Sequence, residues 1–213
     1  MQRKLYPRFS LALDGMREDR RSGRARRKIA LCGTEPDLAE SDYLAVVQGV
    51  RLMLENLGIQ SLDISKGVAP FHPQEGFAAT RISSDVKDEV DAYRVFISKR
   101  RMFFLEGDQK EIYGTALYPN VFISLRLPDL RNVPKERAVA LLAAHEIGHL
   151  LGGLATRNFN CEDSHCRGEN GPCVMRKKFP DIIQMTGDHL LCPDCTTHAG
   201  KNREYLDEEG IYL

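Results

Sequence analysis

The segment from His145 to His149 reads H-E-I-G-H, and it constrains this chain more than any other feature. The i, i+4 spacing places both imidazoles on one face of a helix. Such a pair can bind zinc, and Glu146 stands beside it as a candidate general base. The surrounding residues 142–144, 147, 148 and 150 are all uncharged. This context favours a buried metal-binding helix over a solvated helix that happens to carry two unrelated histidines.

The sequence predicts that this helix begins near Pro134 and runs through Leu151, where Gly152 and Gly153 stop it. An earlier amphipathic helix is predicted over residues 41–57, because apolar residues recur there at helical spacing.

Segments rich in β-branched and aromatic residues predict strands between these two helices. They are residues 95–97, 102–105, 112–117 and 121–125, with an earlier short strand at 29–32. Residues 65–80 contain prolines and glycines and are predicted to be loop. Short helices are predicted over 84–90 and around 182–183, whereas the polar chain after Cys195 gives no clear placement.

Charge is unevenly distributed, although the formal net charge is zero. Residues 1–28 carry ten Lys and Arg against three Asp and Glu, which is a net charge of +7 and leaves −7 for the rest. This segment has no periodic apolar face, so we expect a basic, mobile N-terminal arm. A nucleic-acid partner is disfavoured by the zero net charge, and it would bind only through this arm.

No stretch of the sequence is apolar over the roughly 20 residues that a membrane span needs. The N-terminus also lacks the continuous apolar segment of a secretion signal. All of the cysteines except Cys32 fall between residues 161 and 195, among histidines. We therefore expect a cytoplasmic protein whose clustered cysteines bind metal as thiolates.

A catalytic zinc usually has three protein ligands and a water molecule, so the histidine pair needs a third partner. Gly152 extends the motif to H-E-x-x-H-x-x-G, which is typical of the metzincin clan and places a third histidine three residues later. That position is Ala155 here, and alanine cannot bind metal. His165 is the best replacement, reached through a loop insertion that costs little chain entropy. The cysteine and the two acids at 161–163 remain alternatives.

A second metal site is predicted from cysteines that form two pairs. These are Cys166 with Cys173, and the C-x-x-C pair of Cys192 with Cys195. Four thiolates suit a closed tetrahedral structural zinc site. A redox role is disfavoured because no βαβ pattern surrounds the C-x-x-C pair. Cys32 is most simply a buried free thiol.

Together these residues resemble the archaemetzincins, a family of small metzincin-like zinc metallopeptidases. The family pattern runs H-E-x-x-H-x-x-G-x-x-H-C, then C-x-M, then C-x-x-C. This chain carries it at residues 145–152, 165–166, 173–175 and 192–195. The departures are an inserted loop at 155–164 and the wide spacing from Cys166 to Cys173. The resemblance covers about residues 133–195, extends weakly back to about residue 29 and leaves residues 1–28 uncovered.

The resemblance implies a role for each matching residue. Glu146 would be the general base, and a catalytic zinc would be bound by His145, His149 and His165. A second, structural zinc would be bound by Cys166, Cys173, Cys192 and Cys195. Met175 would form the methionine turn beneath the catalytic metal.

The implied fold is α+β and metzincin-like, with a small mixed β-sheet packed on the active-site helix and a loop-rich C-terminal part stapled by zinc. We expect a single domain of this kind over residues 29–213. The implied activity is hydrolysis of peptide bonds in a peptide or protein substrate. An extended substrate can add as a strand to a sheet edge. Residues 121–125 are a candidate edge, although a core position is the simpler interpretation.

The alternative function is a zinc-stabilised binding protein that has no turnover and a degenerate histidine site. Ala155 favours this alternative, because it stands where the family has a ligand. Glu146 disfavours it, because a structural site has no need of a carboxylate there.

Overall fold

A computed structural model of the chain describes residues 15–19, 21–22, 26, 28–60, 62–73, 75–86, 92–128, 130, 132–151, 166, 171–176 and 178–208, without the side chains of residues 202 and 204–208. The elements follow one another as β1 (Lys28–Gly33), α1 (Glu40–Leu57), β2 (Asp63–Val68), β3 (Phe77–Ala78), α2 (Ala79–Val86), β4 (Tyr93–Ser98), β5 (Met102–Phe103), β6 (Glu111–Ile112), β7 (Gly114–Leu117), β8 (Asn120–Ser124), α3 (Lys135–Leu151), α4 (Phe179–Ile183) and α5 (Pro193–Glu208).

Five strands form a mixed sheet in the order β2–β1–β4–β8–β7. The first four strands run parallel, and β7 pairs antiparallel with β8 at one edge of the sheet. β4 and β8 are buried at every position. Their largely apolar sequences follow from this burial, because both faces of the sheet are covered.

Alternate side chains of the central strands enter two separate apolar layers. On one face, Val95, Ile97 and Ile123 pack with α1 and α3. On the other face, Phe96 and Phe122 stack with ring centroids 5.1 Å apart and pack with residues of β3, β5 and α2. The main sheet therefore lies between a helical layer and a smaller mixed layer.

Within the helical layer, α3 lies directly against α1. A Cβ atom placed on Gly49 of α1 would be only 1.9 Å from the carbonyl oxygen of Ala140 in α3. α3 is buried without a break from Ala138 to Gly148. This burial explains the absence of Lys, Arg and Asp around the histidine motif, and it confirms the predicted mixed sheet packed on the helix that carries the histidines.

Most of the predicted elements are confirmed. The two long helices and the strands predicted at 29–32, 95–97 and 121–125 lie where the apolar patterns place them. The predicted short helix around 182–183 is α4. None of the helices among the described residues is long and apolar enough to cross a membrane.

The loop predicted over residues 65–80 is wrong in part. β2 ends only at Val68, and β3 and α2 begin at Phe77 and Ala79, so the helix predicted over 84–90 starts five residues earlier. β2 is an edge strand whose side chains are at most partly buried, so its sequence lacks the apolar pattern that marks a strand. The polar chain after Cys195 continues in α5.

Part of the basic N-terminal segment packs onto the domain. Residues 15–19 are helical, and Asp19 forms a buried ion pair with Arg26. Arg26 also donates a hydrogen bond to the carbonyl of Ala92 (2.8 Å), and the Tyr118 hydroxyl donates one to Asp19 (2.8 Å). Arg26 and Asp19 thus contact the domain at Ala92 and Tyr118.

The expected mobility of the arm stays a prediction. Residues 1–14 lie outside the described part of the chain. The division of the chain into residues 1–28 and 29–213 stays a prediction.

We predict that Arg26→Ala lowers the free energy of unfolding by about 3 kcal/mol, because it leaves the carboxylate of Asp19 buried without its charge partner. Urea denaturation measures this change. Arg21→Ala is the matched control, since Arg21 is exposed in the same segment, and it should shift stability by less than about 0.5 kcal/mol. A loss below about 0.5 kcal/mol in Arg26→Ala as well would show that the ion pair with Asp19 does not stabilise the fold.

Candidate metal centres

The two histidines of α3 face each other across one helical turn. Their Nε2 atoms lie 3.0 Å apart, and their rings are nearly perpendicular at 87°. Two imidazoles bound to one tetrahedral zinc, with Zn–N distances of about 2.0–2.1 Å, would have their nitrogens roughly 3.3 Å apart. His145 is buried, and His149 is partly buried. The pair therefore fits a zinc ion in both donor type and spacing.

The ring of His145 is oriented by a main-chain carbonyl. Its Nδ1 atom lies 2.7 Å from the carbonyl oxygen of Val174. Because a carbonyl can only accept, Nδ1 must carry the hydrogen, which leaves the lone pair on Nε2 facing His149. This is the usual way in which a second contact fixes the tautomer of a metal-binding histidine.

Glu146 lies beside this pair and is almost fully buried. One of its carboxylate oxygens, Oε1, is 4.0 Å from Nε2 of His145. The side chain also abuts the start of β7, where a Cβ atom on Gly114 would come within 2.6 Å of Oε1 and 2.9 Å of Cγ. The carboxylate is thus held between the histidine pair and the edge strand of the sheet. It can accept a proton from a water molecule held at the pair.

The third ligand of this centre is not defined by the described residues. His165, the predicted ligand, lies outside them, as do the alternatives at 161–163 and the turn at Gly152. The next residue, Cys166, is described, and its N–H donates to the carbonyl of Met175 (2.8 Å). The assignment of His165 therefore stays a prediction.

The four predicted cysteine ligands meet in one buried cluster. The Sγ atoms of Cys166, Cys173, Cys192 and Cys195 all lie within 4.8 Å of one another. Those of Cys166 and Cys192 are 3.7 Å apart, and none of the four forms a disulfide. A tetrahedral zinc with Zn–S distances of about 2.3 Å separates its sulfurs by roughly 3.8 Å. The cluster therefore matches a closed zinc–thiolate site.

The crowding of these sulfurs opposes ionisation when no cation is bound. Hydrogen bonding to Cys166 raises the pKa of Cys173 to about 12, and contacts with Cys166 and Cys173 also raise the pKa of Cys195. A divalent cation reverses this effect, because it stabilises each thiolate directly. Cys32 lies outside the cluster, in β1, where burial raises the pKa of its thiol to about 11.

The segment 173–175 lies beneath the histidine helix. The side chain of Met175 is fully buried, and a Cβ atom on Gly148 would be 2.6 Å from its sulfur. Gly148 precedes His149, so the methionine packs against the helix turn that carries the histidine pair. This contact agrees with the position expected for the methionine turn.

The sequence does not predict the contact of Gly114 with Glu146 or that of Val174 with His145. Gly114 is the first residue of an unremarkable strand, and Val174 acts through its backbone rather than its side chain. The edge strand, too, is different from the candidate at residues 121–125. That segment overlaps β8, which is paired on both sides, so its core interpretation is correct and β7 is the edge beside Glu146.

Solved archaemetzincin structures share this fold. The archaemetzincin of Methanopyrus kandleri is similar to this chain with a TM-score of 0.61 at 18% sequence identity, covering 84% of this chain and 96% of that one. The archaemetzincin of Archaeoglobus fulgidus, solved in complex with malonate, has a TM-score of 0.52 at 15% identity and covers 80% and 99% respectively. Neither a protein-family model nor a curated protein matches the sequence. At these identities the likeness shows the fold, and it confirms the resemblance at that level.

Proposed function

We propose that this chain is a zinc-dependent metallopeptidase with Glu146 as its general base. The observation that carries the proposal is the convergence of His145, His149 and Glu146 beside the edge strand β7. We propose His165 as the third ligand. The four-cysteine cluster would hold a second, structural zinc.

Zinc bound at the histidine pair would acidify water and polarise the carbonyl of a peptide bond. Glu146 would take one proton from a water molecule while the water oxygen bonds to the carbonyl carbon. It would then deliver this proton to the amine nitrogen as the C–N bond breaks. The position of the carboxylate supports this role, because its Oε1 lies 4.0 Å from Nε2 of His145.

The substrate would be an extended segment of a peptide or protein. Among the strands that the structure describes, β7 pairs only with β8, so its other side would accept the main chain of a substrate as an added strand. Gly114 begins β7 and touches Glu146, and a peptide bond aligned there would lie next to the proposed base.

We also propose a reducing, cytoplasmic location. The cysteines of the cluster lie among histidines in the sequence, as expected for thiolates that bind metal in a chain kept from oxidation. The proposal includes no nucleic-acid partner. Only the basic N-terminal segment would provide one, and its Arg26 is engaged with Asp19.

We predict that Glu146→Gln lowers kcat for peptide hydrolysis by about 10²–10⁴-fold while the zinc content stays unchanged, because the amide cannot accept the proton. A fluorogenic peptide library and elemental analysis measure the two quantities. Glu136→Gln is the matched control, as it makes the same change at an exposed position of α3. Full activity of Glu146→Gln would rule out the base role. A wild-type protein that binds zinc and peptides without cleaving them would favour the binding-protein alternative.

A second prediction concerns the glycine that faces the proposed base. Gly114 has no positive φ angle, so alanine fits its backbone, but the added methyl group must displace the carboxylate of Glu146. We expect kcat to fall roughly 100-fold, since a displacement of about 1 Å can cost that much. Zinc content should not change.

Gly200→Ala is the control for this prediction, because a Cβ atom there meets no neighbour within 4 Å. Steady-state kinetics should therefore show a lower kcat in Gly114→Ala and an unchanged kcat in Gly200→Ala. Wild-type kcat in Gly114→Ala would show that the position of Glu146 does not depend on this contact.

A further inference from the structure

The two candidate metal centres are joined by a single short segment, residues 173–175. Cys173 contributes its thiol to the cysteine cluster. The next carbonyl, that of Val174, accepts the hydrogen bond from Nδ1 of His145 at 2.7 Å. One peptide unit therefore separates a ligand of one centre from the group that orients a ligand of the other.

Main-chain hydrogen bonds also connect this segment to the chain near two other cysteines of the cluster, Cys166 and Cys192. The N–H of Val174 donates to the carbonyl of Leu190 (2.8 Å), two residues before Cys192. The carbonyl of Met175 accepts a hydrogen bond from the N–H of Cys166 (2.8 Å). The segment is thus hydrogen-bonded to the chain on both of its sides. One neighbour is Cys166 itself, and the other lies two residues before Cys192.

The segment also meets α3 at two points on the same helix face. Val174 contacts His145, and the sulfur of Met175 packs at Gly148 three residues later. Residues three apart are neighbours on a helix surface. A shift of the segment would therefore move both the carbonyl on His145 and the methionine below His149.

We propose that the four-cysteine site sets the zinc affinity of the histidine centre through the carbonyl of Val174. Val174 is then a positioning residue. A metal bound by the four cysteines would both stabilise the C-terminal part and orient His145. When the cluster is loaded, the carbonyl is fixed and the ring of His145 stays aligned with its Nε2 toward His149. When the cluster is empty, the carbonyl is released and the ring of His145 is no longer aligned. Zinc binding must then order the ring, which lowers the zinc affinity of the histidine centre. The inference rests on the proposed function, because it requires zinc at both centres.

The test compares the zinc affinity of the histidine centre in the wild-type chain, Cys195→Ser and Cys32→Ser. Cys32→Ser is the matched control, since it changes a buried cysteine outside the cluster. Competition with a chromophoric chelator gives the dissociation constants. Removal of an outer contact of a metal ligand typically weakens binding about 10–100-fold, and we expect this change in Cys195→Ser with no change in Cys32→Ser.

A measurement on the wild-type chain decides the question if Cys195→Ser does not fold. The Nδ1–H proton of His145, assigned by its loss in His145→Ala, is followed by NMR during stepwise addition of zinc. Protection of the four clustered cysteines from alkylation marks the loading of their site. We expect slow exchange of the Nδ1–H proton as soon as this site is filled, before zinc reaches the histidines.

Two results would overturn the inference in distinguishable ways. The two sites would be independent if the histidine centre had the same zinc affinity in the wild type and Cys195→Ser. They would also be independent if the exchange rate of the His145 proton did not change when the cysteines bind zinc. Either result would leave the proposed function standing. Zinc binding by the wild type at the cysteines alone would remove both the inference and the proposed function.

Discussion

The close packing of α3 against α1 is the constraint on which the candidate site depends. Gly49 admits the backbone of α3 at Ala140 without any side chain between the two helices, so this contact sets how near α3 can lie to α1. Later turns of the same helix meet β7 through the contact of Glu146 with Gly114. They also meet the segment 173–175 through the hydrogen bond of His145 with Val174.

This arrangement buries two polar side chains of α3 at positions where apolar side chains would give a more stable core. His145 and Glu146 are buried in a helix whose other inward positions are apolar, and a buried polar group is costly unless it has a partner. His145 has the carbonyl of Val174, and the two histidines with Glu146 form a donor set that suits zinc. Local departure from the rules of a stable core is typical of functional sites, and the metal would stabilise the groups that the core does not.

Sequence reasoning succeeded where the pattern was strong. The spacing of His145 and His149 with its uncharged context predicted a buried helix, and the cysteine pairs predicted one cluster; the structure brings each set together. It failed for β2, whose edge position removes the apolar alternation. It also could not find Gly114 or Val174, because their contacts depend on tertiary packing and on backbone atoms. The contact of Arg26 with Asp19 was not predicted either, since a charged residue gives no sign in sequence of a buried partner.

The central proposal is that the chain binds two zinc ions and that α3 carries one of the two sites. Anomalous diffraction at the zinc absorption edge, from crystals of the zinc-saturated wild-type chain, tests it most directly. The account predicts one peak bounded by the Nε2 atoms of His145 and His149 and a second peak within the four clustered sulfurs. The first peak would also show which residue supplies the third ligand. A single peak at the cysteines would contradict the account, because the histidine pair would then hold no metal.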